Sequence, residues 1–65
     1  MIEIYIECWS GPDGVRYPWS IWQDGRQIGS SHTSALYLDQ DQAEAEAWQY
    51  CIQVLQAEPA NIVRL

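Results

Sequence analysis

The sequence contains no lysine and has three basic residues against nine acidic ones, which gives a formal net charge of −6 at pH 7. The phosphates of nucleic acids and the headgroups of anionic membranes repel a chain with this imbalance. We therefore expect no direct contact with nucleic acid and no membrane binding. A basic protein surface is the electrostatic complement of such a chain, although a high net charge also serves solubility alone.

Long hydrophobic runs are absent as well, and no stretch of about 18 apolar residues is available to span a membrane. The first residues, MIEIYIEC, lack the positive region and the long apolar run of a signal peptide. A secreted chain of this size usually carries more cysteines than Cys8 and Cys51. These features predict a cytoplasmic protein with reduced thiols.

Residues suited to catalysis or metal binding are scarce. His32 is the only histidine, and it lies in the polar stretch SSHTS, where sequence neighbours cannot supply a converging triad. Together with Cys8 and Cys51 it offers three metal ligands without CxxC or HxxxH spacing, and structural zinc normally takes four. There is no glycine-rich phosphate loop. We expect a protein that is not an enzyme, with no metal and no cofactor, and with both cysteines in the core.

Apolar and aromatic residues are plentiful, and the 65 residues predict a single domain over 1–65. The first strand, IEIYIECW at 2–9, shows strict alternation between two faces. The predicted core face carries Ile2, Ile4, Ile6 and Cys8. The other face carries Glu3, Tyr5, Glu7 and Trp9 and alternates acidic with aromatic side chains, which is unusual for a face that is merely solvated.

Two turn signals divide the N-terminal half into three strands. GPDG at 11–14 is typical of a β-turn, and Asp24-Gly25 is typical of a two-residue hairpin turn. The second strand is predicted over 16–23 and the third from Arg26 to about Ser30. If GPDG forms a four-residue loop, the apolar residues share one face, whereas a three-residue loop with a bulge scatters them over both. We therefore prefer the four-residue loop.

This register predicts specific cross-strand pairs. They are Ser10 with Val15, Cys8 with Tyr17, Ile6 with Trp19, Ile4 with Ile21, and Ile28 with Ile21. Pro18 has no N–H to donate, so it predicts a bulge or a broken ladder near Tyr17-Pro18.

The C-terminal half predicts one helix and a short last strand. Asp39 is the expected N-cap, with Gln42 as its capping-box partner and with Leu38 and Ala43 as a hydrophobic staple. Pro59 should stop the helix, and NIVRL should pair beside the first strand. The predicted inward stripe is Ala43, Ala47, Cys51, Val54 and Leu55, flanked by Trp48 and Ile52. The predicted fold class is α+β, an antiparallel sheet in the order β-β-β-α-β with one helix packed on one face.

One helix covers only one side of such a sheet, so the outer face of the first hairpin should stay uncovered. Trp, Tyr and Arg are enriched at interaction hot spots, which favours a binding role for this face. Cross-strand stabilisation, such as Trp9 over Arg16, is the alternative. A second acidic patch is predicted near the helix start, where capping and the helix dipole also favour acid. The predicted partner-binding residues are Glu3, Tyr5, Glu7, Trp9, Trp22, Asp41, Glu44 and Glu46.

The run WSIWQDGRQIGSS, followed by DQAEAEAWQYCIQV and NIVRL, is similar in layout to small ββαβ domains of unknown function. In those domains a W-x-V-x-x-x-G hairpin precedes a Gln-Ala-Glu-Ala helix. The resemblance covers roughly residues 17–65 and implies a fold, with no catalytic residues to carry over.

In size and charge the chain also resembles small phage-encoded inhibitors of the anti-CRISPR type. That resemblance implies a non-enzymatic inhibitor in the host cytoplasm. Its partner would be a basic, nucleic-acid-binding surface, such as a subunit of a CRISPR effector complex. The alternative is a homodimer that forms through the open sheet face and has no inhibitory role.

Overall fold

Six strands and one helix make up the part of the chain that the computed structural model describes, which is residues 1–12, 14–31 and 39–65. The elements are β1 (Ile2–Ile6), β2 (Trp9–Gly11), β3 (Gly14–Arg16), β4 (Trp19–Gln23), β5 (Arg26–Ser30), α1 (Gln40–Tyr50) with a π-helical turn (Cys51–Leu55), and β6 (Asn61–Arg64). Four strands form a sheet in the order β5-β4-β1-β6, and β2 and β3 form a separate hairpin. The fold class is α+β, as predicted.

The core lies between α1 and one face of the four-stranded sheet. It contains the predicted apolar side chains of β1 and β4 and the small residues of the helix, which let the helix approach the sheet closely. The buried members are Ile2, Ile4, Ile6, Trp19, Ile21, Ala43, Ala47 and Cys51.

The predicted register of the first hairpin is confirmed. Ile4 lies opposite Ile21 in the antiparallel β1–β4 ladder, and further pairs place Ile6 opposite Trp19 and Ser10 opposite Val15. The ladder breaks near Tyr17-Pro18, as expected from a residue that has no N–H. The backbone N–H of Glu7 still donates to the Pro18 carbonyl at 2.8 Å, so the two chains stay together across the break.

Cys8 was predicted to be a core residue, and this prediction is wrong, because its side chain is exposed. Cys8 lies in the gap between β1 and β2, where the alternation of the first strand no longer applies. Its predicted partner Tyr17 lies in the matching gap between β3 and β4. Beyond these gaps β2 and β3 form a sheet of their own and leave the face on which α1 packs. Cys51 is buried, as predicted.

The second hairpin has the predicted turn and an additional bulge. Asp24 and Gly25 adopt φ angles of 52° and 82°, which the two-residue turn requires. The register then shifts, so that Ile21 pairs with Gly29 and not with Ile28 as predicted. Ile28 still packs against the core.

Gly29 lies directly beneath a ring of the helix. A Cβ atom at this position would be 2.8 Å from Cε1 of Tyr50, closer than real Cβ contacts. The Tyr50 ring in turn packs against Trp19, with 5.4 Å between the ring centroids. The bulge therefore places a glycine, Gly29, at the position where a side chain would collide with the aromatic pair.

The last strand lies beside β1, as predicted, and pairs with it in parallel, with Ile4 opposite Ile62 and Tyr5 opposite Val63. The reason is connectivity. β5 runs in the same direction as β1, since each hairpin reverses the chain once. The helix then returns the chain to the end at which β5 began, and β6 must run parallel to both. The sheet is antiparallel except for this edge pair.

The helix begins as predicted, with Asp39 as its N-cap. The Asp39 carboxylate accepts a hydrogen bond of 2.8 Å from the N–H of Asp41, so the capping bond goes to this amide and not to that of Gln42. The predicted staple residue Leu38 and the loop around His32 lie outside the described residues.

The helix ends in a π-helical turn that changes its inward face. Val54 was predicted to point inward and is 60% exposed, whereas Leu55 packs against the core. A π turn places more residues in each turn than an α-helix, so the spacing that predicted Val54 as a core residue no longer holds after Cys51. Gln56 then adopts a left-handed conformation with φ of 55°, which ends the helix before Pro59.

Candidate partner-binding site

The face of the four-stranded sheet opposite α1 carries the second set of alternating side chains from the two central strands. Glu3 lies opposite Trp22, and Tyr5 lies opposite Ser20. Glu7 follows just beyond the end of β1. We call Glu3, Tyr5, Glu7, Ser20 and Trp22 the open face.

The open face is concave. Its five residues, together with Gly25 and Leu65, line a depression of about 350 Å³. The β6 strand borders it, since Val63 is the neighbour of Tyr5 in the parallel ladder. Binding pockets for small ligands typically measure about 300–1,000 Å³ and enclose most of the ligand. A broad depression at the small end of this range is suited to side chains of a protein partner.

A hydrogen bond holds the indole of Trp22 in place on this face. Its Nε1–H donates to Oγ of Ser20 at 2.9 Å. The polar edge of the ring is therefore satisfied within the protein, and what remains for a partner is the apolar and π surface. A side chain fixed in this way loses little conformational entropy on binding.

Trp9 extends the open face toward the small hairpin. It lies opposite Arg16 in the β2–β3 ladder and is 57% exposed. Its Nε1–H donates to Oε1 of Glu7 at 3.3 Å. A second depression, of about 260 Å³, is lined by Glu7, Trp9, Arg16 and Trp22 among others. The structure thus brings together the five residues that were predicted on the first hairpin.

The two carboxylates of the open face have no cationic partner in the described part of the chain. The ion pairs found there join the N-terminal ammonium to Asp24 and Arg64 to the helix. Glu3 and Glu7 take part in neither. Their negative charges are therefore available to a partner.

The predicted second acidic patch differs from the open face, because Arg64 forms ion pairs with two of its three residues. The Arg64 Nη2 donates to Oδ1 of Asp41 at 2.7 Å, and Nε donates to Oε1 of Glu44 at 3.1 Å. These hydrogen bonds raise the pKa of Arg64. Glu46 lies elsewhere, on a depression between the helix and β5 that Trp19 also lines. Asp41, Glu44 and Glu46 do not form one free patch.

Sequence reasoning missed Arg64, and a signal for it was available. Arg64 lies next to Ile6 in the parallel ladder, on the side of the sheet that faces α1. The alternation within NIVRL places Ile62 and Arg64 on the same face. An arginine beside a core isoleucine could have been expected to reach the acidic first turn of the helix.

Within residues 1–12, 14–31 and 39–65, no group of His, Cys, Asp and Glu side chains is arranged to hold a metal ion. None of the helical residues that the structure describes forms a segment long and apolar enough to cross a membrane.

No family model, curated protein or solved structure matches this chain. The resemblances to ββαβ domains and to anti-CRISPR inhibitors therefore stay predictions.

Proposed function

We propose that the protein is a non-enzymatic binding protein whose open face, extended by Trp9, docks on a basic protein surface and blocks what normally binds there. The observation that carries this proposal is a pair of carboxylates, Glu3 and Glu7, which take part in no ion pair among the described residues. They lie beside the half-buried aromatic rings of a concave sheet face. The carboxylates steer association with a basic surface, and the aromatic rings supply short-range contact.

The dimensions of the molecule support partial occupation of a nucleic-acid site and argue against full mimicry of a duplex. Its longest extent is 35 Å. DNA of that length carries about 20 charges, at one per ~1.7 Å. The net charge of −6 is far smaller. The protein would act by covering a few essential cations of the partner.

The partner that fits this chemistry is a nucleic-acid-binding protein, and the resemblance in size and charge suggests a subunit of a CRISPR effector complex. This function would be exerted in the cytoplasm, and in the host cytoplasm if a phage encodes the protein. It needs no cofactor, no metal and no direct contact with nucleic acid.

The test is capture of such a complex with charge-matched variants. The immobilised protein is exposed to lysate that contains a CRISPR effector complex, with and without nuclease, and captured subunits are then purified and titrated. Glu3→Gln/Glu7→Gln should abolish capture, and an oligonucleotide should compete with the wild type. The control Glu46→Gln/Glu58→Gln removes the same charge elsewhere and should bind normally. Equal binding by both variants, or no competition by the oligonucleotide, would contradict the proposal.

Self-association is the second candidate, favoured by the exposure of Trp9 and Leu65 at 57% and 63% beside the depression. The direction of the salt effect separates the two. Stacking two open faces brings like charges together, so added salt should strengthen a homodimer, whereas salt weakens docking on a basic partner. Sedimentation at low and high salt, with Trp22→Ala to remove the indole of the open face, distinguishes these outcomes.

A further inference from the structure

The open face and its extension by Trp9 present two acid–tryptophan pairs, one near each end of β1. Glu3 lies directly opposite Trp22 in the β1–β4 ladder. Glu7 accepts a hydrogen bond from the indole of Trp9. Tyr5 lies between the two pairs on the same side of the strand.

We infer that the open face recognises two arginine side chains of its partner, one at each acid–tryptophan pair. This inference rests on the proposed function and specifies what the basic partner must present.

The spacing follows from the strand. Residues of an extended strand rise about 3.2–3.4 Å each, so the Cα atoms of Glu3 and Glu7 are roughly 13 Å apart. The hydrogen bond from the Glu7 N–H to Pro18 shows that the chain stays in register as far as this residue. One guanidinium is too small to reach both carboxylates. Two cations are needed, at about the same separation.

Arginine fits each pair better than lysine does. Its planar guanidinium stacks on an aromatic ring and at the same time donates two hydrogen bonds to a carboxylate. A carboxylate has about four lone-pair sites, so Glu7 can accept these bonds while it keeps the one from Trp9. The ammonium of lysine is compact and more strongly hydrated, and it offers no flat surface to the indole.

The depression also suits two side chains with their backbone outside. It measures about 350 Å³ and is lined by both carboxylates, and the adjoining depression of about 260 Å³ adds Trp9 beside Glu7. An extended partner segment with arginines at positions i and i+4 matches the spacing, because both strands have the same rise and both arginines lie on one side.

Three peptides of equal charge test the inference. Acetyl-TRTVTRT-amide has its arginines four positions apart. Acetyl-TTRTRVT-amide has the same composition with its arginines two positions apart, and acetyl-TKTVTKT-amide replaces both arginines of the first peptide by lysine. The β-branched residues favour an extended backbone. Binding is followed by NMR through the indole N–H signals of the four tryptophans.

We expect the first peptide to bind at least fivefold more tightly than either of the others. It should shift the indole signals of Trp9 and Trp22 and leave that of Trp48, on the helix, unchanged. Glu3→Gln and Glu7→Gln should each remove this preference, and the charge-matched control Glu58→Gln should keep it.

Equal affinities for the two arginine spacings would overturn the inference and leave the proposed function intact, because any basic surface would then suffice. Absence of indole shifts with all three peptides would overturn it as well. The proposed function is judged separately, by capture of the effector complex and by competition with the oligonucleotide.

Discussion

The guanidinium of Arg64 lies 2.7 Å from the carboxylate of Asp41, and this contact ties the last strand to the first turn of the helix. Glu44 accepts a second hydrogen bond from the same side chain at 3.1 Å. One arginine at an edge strand thus holds two helix carboxylates that are 23 and 20 residues away in sequence.

Replacing Arg64 by glutamine should lower the urea midpoint of unfolding. The variant leaves two acidic side chains close together without their cation, and the loss should shrink in high salt, because screening weakens both the ion pairs and the remaining repulsion. Arg26→Gln, on the exposed edge of β5, removes the same charge and is the control. A midpoint equal to that of the control would show that the contacts do not contribute to stability.

Adding a methyl group at Gly29 should lower the free energy of unfolding. Its Cβ would collide with the Tyr50 ring, which also packs against Trp19. Gly29→Ala is expected to destabilise the protein by about 1–3 kcal/mol in urea denaturation, as overpacking does.

Gly11→Ala is the matched control for this substitution, since a Cβ at Gly11 meets nothing within 4 Å. It should change stability by no more than about 0.5 kcal/mol. In a protein that already carries Tyr50→Leu, adding Gly29→Ala should lower the free energy of unfolding only slightly, because the ring that causes the clash is gone. Equal effects of the two glycine substitutions would disprove the close contact.

At the π-helical turn Val54 is exposed and Leu55 packs against the core, although both were predicted to face the core. Val54→Gln should leave stability within about 0.5 kcal/mol, because the side chain is already largely in water. Leu55→Gln should cost about 1–2 kcal/mol through lost apolar burial and a polar group placed against the core. Thermal and urea unfolding measure both. A regular α-helix through this segment would make the Val54 substitution similarly harmful.

Alkaline pH should destabilise the protein through Cys51. Burial raises the pKa of the Cys51 thiol. Above the ordinary thiol pKa of roughly 8.5, the unfolded chain releases this proton while the folded protein keeps it, so the free energy of unfolding falls as pH rises.

The urea midpoint measured from pH 7 to pH 9.5 tests this linkage. Cys51→Ala should reduce the alkaline slope even if it lowers stability overall. Cys8→Ala, a substitution at an exposed cysteine, is the control. Identical slopes in all three proteins would show that Cys51 does not contribute.

Much of the fold followed from local patterns. The alternation in 2–9 and the GPDG turn predicted the β1–β4 register residue by residue, because strand pairing with one buried face allows only one alignment. Pro18 likewise predicted where the ladder breaks.

The misses occurred where packing between distant elements overrides the local pattern. The bulge between Ile21 and Trp22 accompanies the close approach of Gly29 to the ring of Tyr50, and the exposure of Val54 accompanies the π-helical turn. Cys8 is exposed and not part of the core, because the hairpin that follows it forms a separate sheet. Neither alternation nor helical spacing contains this information.

Alternation and turn chemistry act over a few residues, and they were enough to predict which side chains of β1 and β4 face the core and which face outward. Which acidic residues keep their charge available depends on the tertiary fold. Arg64 holds Asp41 and Glu44, whereas Glu3 and Glu7 take part in no ion pair among the described residues. The reason is that an ion pair depends on distances between elements that are far apart in the sequence.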